Sequence, residues 1–85
     1  MKILWHEDAW QEYLDWQGNK TVLKRINMLL KDISRNGYNC IGKPEPLKGN
    51  LSGYHSVRIT DKDRIVFRIA DGQVEILQCG THYRQ

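Results

Sequence analysis

Cysteine, proline and phenylalanine are scarce in this chain. Of 85 residues, two are cysteine, two are proline and one is phenylalanine. Cys40 and Cys79 cannot build a disulfide framework, and no CxxC spacing occurs, so no structural zinc site or redox pair is expected. No apolar run approaches the ~20 residues of a membrane span. His6, Glu7 and Asp8 interrupt the N-terminus before a signal-peptide core could form. These absences predict a cytoplasmic protein with free thiols, no membrane contact, no metal and no cofactor. Repeats, low-complexity tracts and internal shifts of composition are also missing, so residues 1–85 are expected to form a single domain.

What is present is ordinary in bulk. Apolar residues make up 40% and charged residues 27%, with a net charge of +3 and pI near 9.0. A chain this size can bury one helix-on-sheet core. The modest positive balance predicts mild affinity for phosphates, a property shared by many small basic domains that bind no nucleic acid.

Met1 to Trp5 reads as a strand. From Glu7 to Gln17, Trp10, Tyr13, Leu14 and Gln17 follow helical spacing, with acids in the first turn. Trp5, Trp10 and Trp16 are assigned to core packing. Gly18-Asn19 breaks this helix, and Asn19 can cap the next. There Val22, Leu23, Ile26, Leu29, Leu30 and Ile33 form one apolar stripe, until Asn36-Gly37 stops it. The two helices make a hairpin. Their basic residues fit either a solvated face or phosphate contacts.

After a loop over Tyr38 to Asn50, the period changes to two. His55, Val57 and Ile59 alternate with Tyr54, Ser56 and Arg58; Ile65, Phe67 and Ile69 alternate with Arg64, Val66 and Arg68. Asp71-Gly72 is a type I′ hairpin signal. It sets Ile69 against Val74, Phe67 against Ile76, Ile65 against Gln78, Arg68 against Glu75 and Arg64 against Cys79. A connection over Asp61 to Asp63 sets Arg58 against Val66. The expected fold is α+β, with an N-terminal helical hairpin on one face of a small, mainly antiparallel sheet. The other face displays Arg58, Arg64 and Arg68.

Both prolines fall in Gly42-Lys43-Pro44-Glu45-Pro46-Leu47-Lys48. Proline stiffens the backbone and biases the residue before it toward extended geometry, so Lys43 and Glu45 are expected there. Burial would raise the Glu45 pKa, whereas Lys43 and Lys48 would keep the carboxyl ionised. An aimed carboxylate among cations fits a general base acting on an anion; it fits an exposed loop glutamate too. The chain ends Thr81-His82-Tyr83-Arg84-Gln85, beyond the strand that pairs beside Arg64. Glu45, Arg64, His82 and Tyr83 can converge on one basic concavity. That set suits RNA cleavage: a base takes the 2′-OH proton, a cation offsets charge on phosphorus and an acid protonates the 5′-O. Lys43, Lys48, Arg58 and Arg68 are the candidate contacts to RNA phosphates.

Nearly the whole chain resembles the YoeB/Txe toxins of bacterial toxin–antitoxin systems, within the RelE superfamily. The resemblance rests on Trp5…Trp10…Tyr13-Leu14…Trp16-Gln17, Lys24-Arg25-Ile26-Asn27…Leu30-Lys31-Asp32, the 42–48 stretch, Leu51-Ser52-Gly53, Arg58-Ile59-Thr60, Arg64-Ile65-Val66 and His82-Tyr83. It implies a RelE/YoeB-like fold and a metal-independent, ribosome-dependent endoribonuclease that cuts mRNA in the A site of the 70S ribosome. The cut would leave 2′,3′-cyclic phosphate or 3′-phosphate ends. The resemblance also implies a cognate YefM-like antitoxin, operator DNA reached only through that antitoxin, and a homodimer as one state. Glu45 would be the base, Arg64 the transition-state stabiliser, His82 the acid and Tyr83 an orienting group. Three departures stand out: Val57 replaces the first of two arginines, Asp63 replaces a frequent His, and Arg84-Gln85 extends past His-Tyr. The alternatives are a non-catalytic toxin of the same fold, as in the gyrase-inhibiting ParE branch, and an inactive RNA- or ribosome-binding module.

Overall fold

The computed structural model describes residues 1–81. Strand β1 (Lys2–Trp5) leads into helix α1 (Glu7–Asp15), a 3₁₀ turn (Trp16–Gly18) and helix α2 (Lys20–Asn36). Four strands follow: β2 (Glu45–Pro46), β3 (His55–Arg58), β4 (Arg64–Ala70) and β5 (Gln73–Gly80). They form one sheet in the order β1-β5-β4-β3-β2. β1 runs parallel to β5, and the other neighbours are antiparallel.

The helices form for the reasons their sequences give. Asn19 caps α2 by accepting Val22 N at 3.1 Å. Gly37 ends it with φ +59°, a conformation that glycine adopts at no steric cost. The apolar stripe of α2 buries Ile26, Leu29, Leu30 and Ile33 against Val57, Ile65, Phe67, Val74 and Ile76 of the sheet. α1 contributes Ala9 to this core. Trp5 and Trp16 pack against this core as expected, and Trp10 departs from expectation. Trp10 is 45% exposed and stacks on Tyr13, with Trp5 edge-on beside them. They pack one another at the rim of the core. α1 also ends at Asp15, short of the expected Gln17, because the chain tightens into the 3₁₀ turn.

The Asp71-Gly72 turn forms as expected, with φ values of +54° and +72°. It holds Ile69–Val74, Arg68–Glu75 and Phe67–Ile76 in register. Beyond Phe67 the expected pairing fails. A bulge between Val66 and Phe67 shifts the ladder by one, so Ile65 meets Cys79, Val66 meets Gln78 and Arg64 meets Gly80. An extra residue in one strand has this effect. It turns Cys79 inward, where burial pushes the thiol up to about 12. The β3–β4 connection spans 59–63, longer than expected, which places Arg58 opposite Arg64 instead of Val66. The expected 38–50 loop contains β2, a strand at the sheet edge. An edge is the place that tolerates proline, since Pro46 has no N–H to donate.

On the face away from the helices, Arg68 Nε donates to both Glu75 oxygens at 2.9 and 3.1 Å. The Arg68 guanidinium lies 5.1 Å from the Tyr54 ring centre. His6 Nε2 sits 3.5 Å from Glu75 Oε2. The hydrogen bond from Arg68 is the main cause holding the Glu75 carboxyl below its usual range, against the opposing effect of burial.

Two outcomes follow from this packing. Asn19→Ala removes the α2 cap and should destabilise the protein by about 1 kcal/mol, read as a fall in denaturation midpoint at unchanged m value. The second concerns pH. A carboxyl with a depressed folded pKa contributes stability that is complete above its unfolded pKa, about 4.3, and is lost as pH falls through the folded value. The Tm gap between wild type and Glu75→Gln should therefore be widest at neutral pH and close below roughly pH 4. A gap that stays constant down the acid range would contradict this account of the pair.

Candidate functional site

Residues directly opposite one another in a ladder share a face, as do residues two apart along a strand. On the open face one row runs Glu45, Ser56, Val66, Gln78. The adjacent row, nearer the 59–63 turn, runs Arg58, Arg64, Gly80. A cleft of about 280 Å³ opens where these rows meet β2, lined by Arg25, Gly42, Lys43, Glu45, Ser56, Arg58 and Arg64. A larger trough of about 400 Å³ runs along α2. The carboxylate in its lining is Asp32, whose oxygens accept from Ile41 N at 2.7 Å and Asn36 Nδ2 at 2.9 Å. The carboxylate of the trough is thus engaged by two N–H donors, and the smaller cleft, which holds Glu45, is the candidate site.

The approach of β2 begins with that same Asp32, which pins Ile41. Gly42 then lies directly on the core. A Cβ added there would come within 3.2 Å of both Leu29 and Val57 side chains, so glycine lets the loop seat against the sheet. The next residue corrects an expectation. Lys43 is not extended: its φ is +54°. The tight turn closed by Lys43 N donating to Cys40 O at 3.3 Å overrides the bias of the residue before proline. Left-handed backbone at a non-glycine residue stores strain of order 1 kcal/mol. Here it swings the chain so that Glu45 enters β2 extended, as expected. Glu45 is exposed.

The arginines are oriented by carbonyl oxygens. Arg64 Nη1 donates to the carbonyls of Thr60, Asp61 and Asp63 at 2.7, 3.2 and 3.1 Å. Arg25, from α2, donates through Nε to Ile59 O at 3.2 Å and through Nη2 to Arg58 O at 3.1 Å. Arg58 lies 4.0 Å from the exposed Asp61, a contact worth little. Four cations thus surround one carboxylate. Like charges placed directly across a ladder are unfavourable, so this arrangement serves an anionic ligand better than it serves the fold. A planar guanidinium held by carbonyls on one edge can offer its remaining N–H groups to a phosphate.

Of the expected site residues, Glu45, Arg64, Lys43 and Arg58 come together here. Lys48 is exposed ahead of the Gly49–Leu51 turn and does not line the cleft. Arg68 is committed to Glu75 and Tyr54. His82 and Tyr83 lie outside the described residues. Arg25 carries no distinguishing signal in the residue order, because a basic residue flanking the buried Ile26 looks the same as any other on a solvated helix face. Ser56 shows in the alternation only as one more polar position. The cysteines are unreactive: burial raises Cys40 as well, aided by the charge of Asp32, and neither is a thiolate nucleophile near neutrality.

Comparison with known proteins agrees with this architecture. A family model described as the YoeB-like toxin of bacterial type II toxin-antitoxin system matches residues 5–83. A Toxin YoeB from Synechocystis sp. is 51% identical, with all of both chains covered. The toxin in a YoeB-YefM complex from Staphylococcus aureus superposes with a TM-score of 0.87 at 44% identity, covering 98% of each chain. A YoeB dimer from the same organism gives 0.85 at 44% identity and the same coverage. The Val57 and Asp63 departures therefore sit within a shared fold, and the chain belongs to the YoeB-like toxin family of bacterial type II toxin–antitoxin systems.

Proposed function

We propose that this toxin is a ribosome-dependent endoribonuclease that cleaves mRNA in the ribosomal A site and thereby stops translation. The observation that carries the reading is the cleft itself: one exposed carboxylate, Glu45, faces Arg58 and Arg64 across β2, β3 and β4, with Lys43 and Arg25 at its margin. In this scheme Glu45 removes the 2′-OH proton, and the 2′-oxygen attacks phosphorus. Arg64 offsets the charge that builds on the phosphoryl oxygens, and its anchoring on the turn carbonyls means little reorganisation at that moment. His82 protonates the departing 5′-oxygen, and Tyr83 orients the substrate. The products are a 2′,3′-cyclic phosphate, open to hydrolysis to a 3′-phosphate, and a free 5′-hydroxyl. Side chains fill every proton-transfer role.

Arg58 and Lys43 hold the phosphates flanking the cut. Lys48, outside the cleft, contacts RNA or the ribosome further along, while Arg68 stays with Glu75 and Tyr54. The site of action is the cytoplasm, where the 70S ribosome carries the mRNA. A basic, open cleft is also a liability to its host until covered. We assign that cover to a YefM-like antitoxin segment, supported by the S. aureus relative solved in a YoeB-YefM complex. Acidic and apolar residues on such a segment complement the arginines. Self-association has a parallel in the S. aureus dimer.

The test is brief induction followed by mapping of mRNA 5′ ends. Wild type should create new ends at codons in the A site. Glu45→Ala, Arg64→Lys and His82→Gln should each reduce them by about 10²–10⁴-fold while melting like wild type. Arg64→Lys is preferred to alanine because it keeps a cation while losing the fork. Undiminished cleavage by a folded Arg64→Lys/His82→Gln double variant would sink the scheme. In a separate measurement, affinity for ribosomes should fall steeply as salt rises, since phosphate contacts release counterions.

A further inference from the structure

Arg64 is aimed by a turn whose shape depends on one hydroxyl. The carbonyls of Thr60, Asp61 and Asp63 converge on a single nitrogen, Arg64 Nη1, at 2.7, 3.2 and 3.1 Å. A turn that points three carbonyls at one spot points its N–H groups elsewhere, and those need partners. Thr60 Oγ1 supplies them. It accepts from Lys62 N at 3.2 Å and from Asp63 N at 3.1 Å. The same hydroxyl donates to Asp63 Oδ2 at 2.6 Å, so its one donor and two acceptor positions are all filled. The other Asp63 oxygen accepts from Thr81 Oγ1. At the base of the turn, Ile59 N and Thr60 N donate to Asp63 O at 2.9 and 3.3 Å. Among the described residues, Arg64 Nε and Nη2 meet no acceptor.

We propose that Thr60 is a positioning residue: its hydroxyl holds the 60–63 turn in the shape that presents the Nε–Nη2 edge of Arg64 to a phosphate in the cleft. The inference rests on the ribonuclease reading and adds to it the device that aims the cation. A guanidinium grips phosphate best through two parallel N–H bonds, so its plane must be set before the ligand arrives. An arginine side chain left to itself samples many rotamers, and small losses of placement become large losses of rate. Thr60 also settles the nearest carboxylate. Asp63 adjoins Arg64 in the chain, and a carboxylate turned onto the guanidinium would compete with phosphate for the same fork. Its oxygens go instead to threonine hydroxyls, and Arg64 meets Asp63 through the backbone carbonyl. Thr60 is half-buried and does not line the cleft, so it acts through Arg64. The flanking Asp61 and Lys62 are exposed, and hydrogen bonds in an exposed turn add little to global stability.

The experiment compares full-length Thr60→Val, which keeps the shape and removes the hydroxyl, with wild type, Thr60→Ser, Asp63→Ala, Arg64→Lys and Thr60→Val/Arg64→Lys. Two readouts are needed. The first is the guanidinium NMR signals of Arg64 in the free, 15N-labelled protein, assigned with Arg64→Lys. With Nη1 held, Nη1 and Nη2 should give separate signals in wild type and Thr60→Ser. They should merge in Thr60→Val, through rotation about the Nε–Cζ bond. The second is cleavage of mRNA on programmed ribosomes, with kcat and KM separated. Thr60→Val should lower kcat by about tenfold with little change in KM. Thr60→Ser should restore it, and the double variant should fall no further than Arg64→Lys alone. Asp63→Ala removes the acceptor that orients the hydroxyl; it should move both readouts in the same direction, and it carries the comparison if Thr60→Val melts early. Merged signals in wild type, signals that stay separate in the folded variant, or losses from Thr60→Val and Arg64→Lys that multiply would overturn the proposal. Wild type that cleaves nothing would remove the ribonuclease reading, while the NMR comparison would still decide whether Thr60 holds Arg64.

Discussion

The constraint on which this fold depends is the need of β5 for hydrogen-bond partners on both edges. Buried backbone N–H and C=O groups must be paired. β4 serves one edge along the whole length of β5, and β1 serves the other only from Gln73 to Ile76. Past that point β1 has ended at Trp5. The chain solves the shortfall with α1. His6 N donates to Ile76 O at 3.0 Å as the helix begins, and Glu12 and Trp16 then take over the N–H and C=O of Cys79. The same bonds that satisfy the strand dock the helical hairpin onto the sheet. They also brace the end of β5, so strand satisfaction and helix docking are secured by one set of contacts.

Much of this was legible from residue order. The α2 stripe, the Asn19 cap, the Gly37 stop and the Asp71-Gly72 turn are local signals, each decided by a few neighbouring residues. What the sequence could not reveal is non-local. Nothing near Val66 or Leu77 announces a bulge, because both residues suit a strand. The longer 59–63 connection follows from the Thr60–Asp63 hydroxyl–carboxylate network. A parity argument cannot distinguish it from a shorter turn, since both keep Ile65 and Val57 on the apolar face. The cleft was legible in part. Glu45, Arg58 and Arg64 followed from alternation and the paired prolines, whereas Lys43 was misjudged because a turn stabilised by Asp32 outweighs a local backbone bias. Arg25 was invisible because only tertiary contact separates it from Lys24.

The open face resolves an apparent conflict between fold and function. Arg68 and Glu75 show what the sheet does with a cation when stability alone is served: a two-oxygen hydrogen bond with an aromatic ring alongside. One row away, Arg58 and Arg64 face each other, and among the described residues no carboxylate hydrogen-bonds either guanidinium. Their nearest acids behave differently, Asp61 standing out in solvent and Asp63 turned onto threonines. Neutralising this pair was within reach of the turn and did not happen. The orienting bonds come from carbonyl oxygens, which carry no net charge and leave the field of the guanidinium intact.

The position of Glu45 follows from the same economy of charge. A carboxylate in the middle of the sheet would pair with an arginine as Glu75 does. On a two-residue edge strand, flanked by prolines that cannot extend a ladder, it is held near the cations without being folded onto them. An edge of this kind is also protected from pairing with another strand, because proline removes the donors that such pairing requires. The features that keep the edge from aggregating thus also keep the cleft open. A ligand that carries a hydroxyl beside a phosphate can meet both, the hydroxyl donating to Glu45 and the phosphate lying on the arginines.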